Sequence, residues 1–324
     1  MSEPIRQHLV PIVYLKQFAL PKRKDWFIDV YDKKASKLIL DMNVSNICVS
    51  KEFYTFKQLP EDQKRILERF YGKTVESDYP EIYKTLINWT VTKISDNLRF
   101  KVISYIISQY WRTSKLINAV NNLLNRTISD AYNLMEAYSP ERVIHAGNTI
   151  IDFNNRSLDE YLKTSNEDTR ERLNLESYKR FKELVLRRIN DGIIVSKIHR
   201  SHRLIISDNP VISSDHIYNP ASFIRLPLDV NHIVTLVPYT KEDWFNNKAI
   251  ARMKLDEQTS YFQSTVFNHM QVDISERFLL GRKSDLEKVL DELKHLNQQK
   301  SKEECETHAN QLNEKLAALQ SKLK

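Results

Sequence analysis

The chain has 324 residues, a net charge of +7, and only four glycines, at positions 72, 147, 192 and 281. It is long enough to bury a substantial core, but its glycines stand too far apart for a P-loop or a dinucleotide fingerprint, so no nucleotide cofactor is expected. Two cysteines, Cys48 and Cys305, exclude a disulfide framework or a thiolate zinc site and fit a reducing cytoplasm, while the lack of a signal-peptide core or a long apolar run points to a soluble protein off the membrane.

The chain opens with QHLVPIVYLKQFAL, in which Val13, Tyr14, Leu15 and Phe18 look like anchors that hold His8 in place. WFIDVYDKKASKLIL then reads as a hairpin of two aromatic and β-branched runs around a polar turn. Helical periodicity follows in EDQKRILERFYG and EIYKTLINWTVTKI, and RFKVISYIISQYWRTSKLINAVNNLLNRT reads as one central buried helix. A further helix, LESYKRFKELVLRRIN, is expected to end with Gly192 as its left-handed cap. IIVSKI and RLIISD flank HRSH as a second hairpin, and FIRLPLDVNHIVTLVP adds strands. Beyond Ser284 two apolar stripes, Leu286 to Leu296 and Cys305 to Leu323, alternate spacings of three and four, as in a coiled coil or a helical hairpin.

Four groups of residues carry candidate chemistry. His8 can act as acid, base or metal ligand near neutrality, or be a structural histidine bonded to backbone. Asp208 ends an apolar strand in the turn Ser207-Asp208-Asn209-Pro210, where a carboxylate serves either a metal site or the turn itself. Gln109 and Arg112 share a face of the central helix, and a buried arginine needs a carboxylate, a phosphate or several carbonyls. Lys197, His199, Arg200, His202 and Arg203 form a basic loop suited to phosphates; its imidazoles are not spaced for a metal on one helix face.

Three stretches together resemble a mainly bacterial family catalogued as domain of unknown function 4238. Gln7, His8, Val10, Pro11, Tyr14, Leu15 and Phe18 match its opening QH-x-VP-x-x-YL-x-x-F element. Glu76 matches an acidic residue that leads into a helix, Gln109, Arg112 and Thr113 match Q-x-x-R-T, and Ser207 to Pro210 with Pro227 and Leu228 match the SDNP turn and the PL strand. The resemblance runs from about residue 6 to 282 and implies one pocket shared by His8, Arg112 and Asp208.

The resulting expectation is a predominantly helical α+β fold: a central helical domain packed with short antiparallel β-hairpins and followed by coiled-coil-like C-terminal helices. Residues 1–283 form one domain, with an N-terminal segment and hairpin over 1–60, a helical region over 61–191 and a β-rich region over 192–283; residues 284–324 form a tail. The leading functional expectation is a phosphodiester hydrolase, a nuclease-like effector of bacterial defence or a toxin. His8 would be the base, Arg112 would meet phosphate charge with Gln109 nearby, and a divalent cation, Mg or Mn, would sit on His8, Asp208 and Glu76. The alternative is a non-catalytic interaction module whose polar trio is structural. In either case, the apolar stripes of residues 284–324 need something to pair with: the body of the protein, a second copy of the chain or a partner protein.

Overall fold

Apolar anchors close behind the first polar residues decide how the chain enters the fold. In the computed structural model, which describes residues 6–138, 142–146, 149–154, 156–239 and 249–298, strand β1 (Arg6–His8) leads into a single helical turn, α1 (Ile12–Leu15). Tyr14, Leu15 and Phe18 are buried there, and the Tyr14 hydroxyl donates to the carbonyl of Pro227 at 2.8 Å. Strands β2 (Leu20–Lys22), β3 (Asp25–Asp32) and β4 (Lys37–Asn43) follow, with β3 and β4 forming the first expected hairpin. Strand β5 (Val49–Lys51) then returns to pair antiparallel with β1, placing Val49 opposite His8.

Helix α2 (Ile66–Phe70) runs through a π turn, Tyr71–Val75, and a 3-10 turn, Glu76–Asp78, into α3 (Tyr79–Ile87). The long central helix expected from the sequence is two helices, α4 (Asp96–Trp111) and α5 (Lys115–Tyr138). The break coincides with a long-range contact: the Tyr54 hydroxyl donates to the carbonyl of Arg112 at 2.7 Å, competing for an acceptor that a continuing helix would use. After the hairpin β6 (Val143–Ala146) and β7 (Thr149–Asp152), helix α6 (Leu158–Arg187) starts on a capping box made by Ser157 and Glu160.

Gly192 does not cap α6. The helix closes at Arg188, and Gly192 is the first residue of β8 (Gly192–Lys197). The Arg188 guanidinium is buried, at 1% exposure, and binds Asp191 at 3.1 Å, the carbonyls of Ile217 and Ser222 at 3.1 and 2.9 Å, and those of Asn219 and Pro220. A side chain well upstream therefore shapes the loop that joins β10 (Ile212–Ser213) to β11 (Ile224–Asp229).

The remaining elements are β9 (Ile206–Ser207), β10 (Ile212–Ser213), β11 (Ile224–Asp229), β12 (His232–Val237), β13 (Ile250–Lys254), α7 (Glu257–Ile274), β14 (Phe278–Gly281) and α8 (Lys283–Gln298). One five-stranded sheet has the order β10-β11-β12-β8-β13, in which only the β8–β13 pair is parallel. The other runs β2-β3-β14-β9, with β4 on β3. The second expected hairpin is thus corrected, because β8 and β9 lie in different sheets and HRSH is a crossing between them. The apolar residues after it divide accordingly, Leu204 packing with Ile198 and Ile233 while Ile205 packs with Leu279 and Leu286. At Gly281, the last residue of β14, a Cβ would come within 3.0 Å of Ile205 Cγ2, so a side chain there would require Ile205, just before β9, to shift.

The fold is therefore mixed α+β rather than predominantly helical: among the described residues, fourteen strands build two five-stranded sheets and two two-stranded ones. The sheets are substantial layers, not small hairpins decorating a helical body. A coiled coil is not what α8 makes either. Leu286 and Val289, from the first apolar stripe of the tail, are buried against Ile205 and Leu279 of the body, with Leu293 partly buried beside them. The second stripe, Cys305 to Leu323, lies outside the described residues.

Replacing Arg188 by methionine keeps the bulk but leaves the carbonyls of Ile217, Pro220 and Ser222 without this donor and removes the guanidinium paired with Asp191. We expect a loss of about 3–5 kcal/mol, read as a lower midpoint in urea denaturation; a loss below about 1 kcal/mol, as for a surface ion pair, would show that the loop stands without it.

Candidate functional site

Arg112 follows α4 directly and is 3% exposed, so its charge must be met from within the protein. Nη2 donates to the carbonyl of His8 at 2.9 Å, and Nη1 lies 2.7 Å from Glu76 Oε1 as a close charge pair rather than an aligned hydrogen bond. The guanidinium also stacks over the Tyr71 ring, 4.7 Å from its centroid. Burial works against the charge, but Tyr54, Glu76 and Tyr71 outweigh it and hold Arg112 above its ordinary pKa. The π turn makes this possible: it carries Tyr71 under the arginine and delivers Glu76, still partly exposed, beside it.

His8 is positioned through its backbone and its ring. β1 is held on one side by β5 and at the His8 carbonyl by Arg112. Nε2 lies 3.1 Å from the carbonyl of Ser45, which can only accept, so Nε2 carries the proton and Nδ1 is the acceptor of the neutral ring. Burial, assisted by Arg112 and Arg6, lowers the His8 pKa below its usual 6.5, although the Ser45 bond and Glu76 pull the other way. The ring is therefore neutral at pH 7, with one lone pair to use.

His8, Arg112 and Glu76 line a cavity of about 210 Å³ together with Arg6, Gln7, Ile12, Tyr54, Glu68, Tyr71 and Gly72. Gln7 fixes its floor: its amide donates to Glu68 at 3.0 Å and accepts the Tyr54 backbone N–H at 2.7 Å. A Cβ on Gly72 would meet nothing within 4 Å, so the glycine keeps the wall thin rather than relieving a clash. Two arginines and two glutamates in so small a space balance in charge, and His8 adds a neutral imidazole beside them.

The other expected members stand elsewhere. The Asp208 carboxylate accepts the backbone N–H groups of Glu276, Arg277 and Phe278 at 2.9, 2.8 and 3.1 Å, and so clasps the start of β14 instead of pairing with Arg112. Burial nevertheless pushes Asp208 above the ordinary carboxylate pKa, outweighing those three donors. Ser207 and Asn209 are likewise engaged, with Gln271 and the carbonyl of Ile274. Gln109 is fully buried, lacks a hydrogen-bond partner among the described residues and does not line the cavity.

Nor does the basic loop reach the cavity. Lys197, His199 and Arg200 are exposed; His199 Nδ1 bonds Ser201, the His202 ring packs on Tyr261, and Arg203 lies near Asp285. Among the described residues no three histidine, cysteine, aspartate or glutamate side chains converge as a ligand set, and with Asp208 engaged, the donors at the cavity available to a divalent cation are His8 Nδ1 and the glutamates. Sequence reasoning missed Tyr54, Tyr71, Gln7 and Ser45. Of these only Gln7 carried a signal, as part of the QH pair.

The chain belongs to the family described as protein of unknown function (DUF4238), which matches residues 6–285. No curated protein and no solved structure matches it. The family elements meet in pairs: the opening element with the Q-x-x-R-T element through His8 and Arg112, and again with the PL strand through Tyr14 and Pro227.

The lowered His8 pKa has a definite sign. Below pH 6.5 the unfolded chain takes up a proton that the folded chain refuses, so the stability His8 contributes is complete above 6.5 and declines as the pH falls toward the folded value. Nitrogen-detected NMR should show the Nε2–H tautomer and a midpoint below 6.5; a midpoint at or above that value would contradict the burial seen here.

Proposed function

We propose that the His8 cavity hydrolyses a phosphodiester, with His8 Nδ1 as the general base. The observation that carries this reading is the Nε2–H to Ser45 bond, which presents Nδ1 as the ring's sole acceptor on a residue that lines the cavity. Nδ1 takes a proton from the attacking water, and Glu76 steadies the imidazolium that forms. Arg112 acts as a positioning residue, holding the His8 carbonyl and Glu76, while Arg6 on the rim, whose Nη2 donates to Asn46 Oδ1 at 3.1 Å, would turn its remaining N–H groups to a phosphate oxygen. In the metal-dependent form of the same reading, a divalent cation, Mg or Mn, held by Glu76 and His8 Nδ1 would activate the water in place of the general base, since the single Nδ1 lone pair serves either the metal or the proton. Exposed Lys197 and Lys254, neighbours on β8 and β13, together with Arg200 offer a basic face for a nucleic-acid strand, as an effector or toxin acting on nucleic acid would need.

A second reading is favoured by one observation: Arg112 and Asp208 both spend their bonds on backbone groups. In that reading the polar cluster only fixes the N-terminal strand, and the protein is an interaction module that recruits a partner or a second copy through the part of residues 284–324 that Leu286 and Val289 do not already commit to the body.

The two part in a hydrolysis screen with Mg and Mn on single- and double-stranded DNA and RNA, cyclic dinucleotides and an aryl phosphodiester. Removing a general base typically costs a factor of about 10²–10⁴ in rate, and His8→Ala should fall in that range while still melting cooperatively as a folded protein. The acid limb of kcat/KM should break below pH 6.5, since the base must be neutral to work. Absence of turnover by the wild type on every substrate, or activity of His8→Ala within about threefold of it, would leave the interaction module.

A further inference from the structure

The three most exposed large apolar side chains among the described residues all stand on one helix, α5: Leu123 at 67%, Leu134 at 63% and Tyr138 at 83% exposure. Apolar residues scattered singly over a surface call for no explanation, but these recur along one stripe. Taken as a heptad, Val120, Thr127 and Leu134 fill one seam position and Leu123, Asp130 and Ala137 the other, with spacings of three and four throughout. All six are exposed except Val120, which is partly buried, while Ile117 and Met135 carry the inward side of α5 into the body of the protein. The helix therefore has an apolar side that the fold uses and a second one that it leaves in water.

One charge, Asp130, interrupts the seam, with Arg126 at its edge, and neither forms an ion pair or a side-chain hydrogen bond among the described residues. These two charges decide what can cover the stripe. We propose that it is the contact face of a symmetric dimer, in which α5 packs antiparallel on α5 of a second copy with Leu123 opposite the partner's Leu134. That one choice fixes every layer, because antiparallel helices step in opposite directions: Val120 meets the partner's Ala137, Thr127 meets the partner's Asp130, and Ala119 leaves room for the partner's Tyr138. Asp130 then stands beside the partner's Thr127 and the partner's Arg126, a hydroxyl and a guanidinium for its carboxylate, and the two-fold axis makes each contact twice. A parallel pairing fails here, since it sets Asp130 against the partner's Asp130 in the middle of the seam.

Length sets the strength to expect. At 24 residues α5 is about 36 Å long, and a helix pair of that length with alanine and threonine in its seam falls at the low end of the roughly 1,200–2,000 Å² of a standard interface, so the dimer should form at micromolar concentration. The rival occupant is the second apolar stripe of this same chain, Cys305 to Leu323. Its seam residues include no donor of charge or hydroxyl, so they would enclose Asp130 without a partner. The inference rests on neither reading of the His8 cavity, and it is tested by mass rather than turnover.

Sedimentation equilibrium on the full chain over about 1–100 μM should show monomer and dimer in exchange. Leu123→Glu and Leu134→Glu should each weaken the dimer by at least about tenfold and still melt cooperatively, because both side chains are exposed in the single chain. Arg126→Asp should weaken it by about tenfold as well, and Arg126→Asp with Asp130→Arg should return it to within about threefold of the wild type. Register is read by oxidation in a Cys305→Ser background: chains carrying Leu123→Cys or Leu134→Cys should stay uncross-linked alone and form a disulfide dimer when mixed. Leu316→Glu, in the rival stripe, should leave the equilibrium unchanged. Four results would overturn the inference: a monomer at every concentration, a dimer unmoved by both glutamate substitutions on α5, cross-linking of Leu134→Cys chains alone but not of the mixture, or a dimer lost in Leu316→Glu.

Discussion

A guanidinium taken out of water must find its partners before the surrounding chain can settle, and Arg112 meets this demand by drawing three segments to one point. It needs the His8 carbonyl from β1, Glu76 from the end of the π turn, the Tyr71 ring from within that turn and, at its own carbonyl, the Tyr54 hydroxyl. The last contact falls where α4 ends, and the first fixes the strand that carries the imidazole. Truncating such a group costs more than its net worth in the intact protein, because Glu76 would be left facing a void without its counter-charge. Arg188 repeats the device at the other end of the helical layer, where it gathers a loop instead of a strand.

Much of this was legible in the sequence, and the limits follow a pattern. The hairpin of β3 and β4 and the burial of Tyr14, Leu15 and Phe18 could be read from period and side-chain type. Arg112 stood out as a charge inside an apolar run, so its burial was predictable while its partner was not: Glu76 and Asp208 are both acidic residues with turns beside them, and spacing cannot rank them. What decided was backbone geometry, since three N–H groups at residues 276–278 claim Asp208 first. The break after α4 was hidden for a similar reason, because the hydroxyl that competes there, on Tyr54, lies 58 residues away.

Strand assignment failed in a different way. Strands of two or three residues, such as β1, β9 and β10, have no periodicity to read and exist only because a distant ladder accepts them. Reading HRSH as a turn required its flanks to pair, yet the apolar residues on its two sides belong to separate clusters. The SDNP turn gave the opposite lesson. A conspicuous polar motif at a strand end proved to be a clasp for β14, whereas the inconspicuous Ser45 carbonyl sets the protonation of the one imidazole at the cavity.

The placement of β14 between β3 and β9 carries a consequence for how the molecule is made. Everything Arg112 requires has been synthesised once residue 112 has left the ribosome, so the His8 cluster can assemble early. Its surroundings cannot. The edge of β3 that β14 covers stays open until residues 278–281 emerge, and Tyr14 waits for Pro227 across 213 positions. For most of its synthesis the chain therefore displays an unpaired strand edge next to buried-type aromatics, the combination that invites wrong pairing. The nascent protein should depend on chaperones far more than its finished form does.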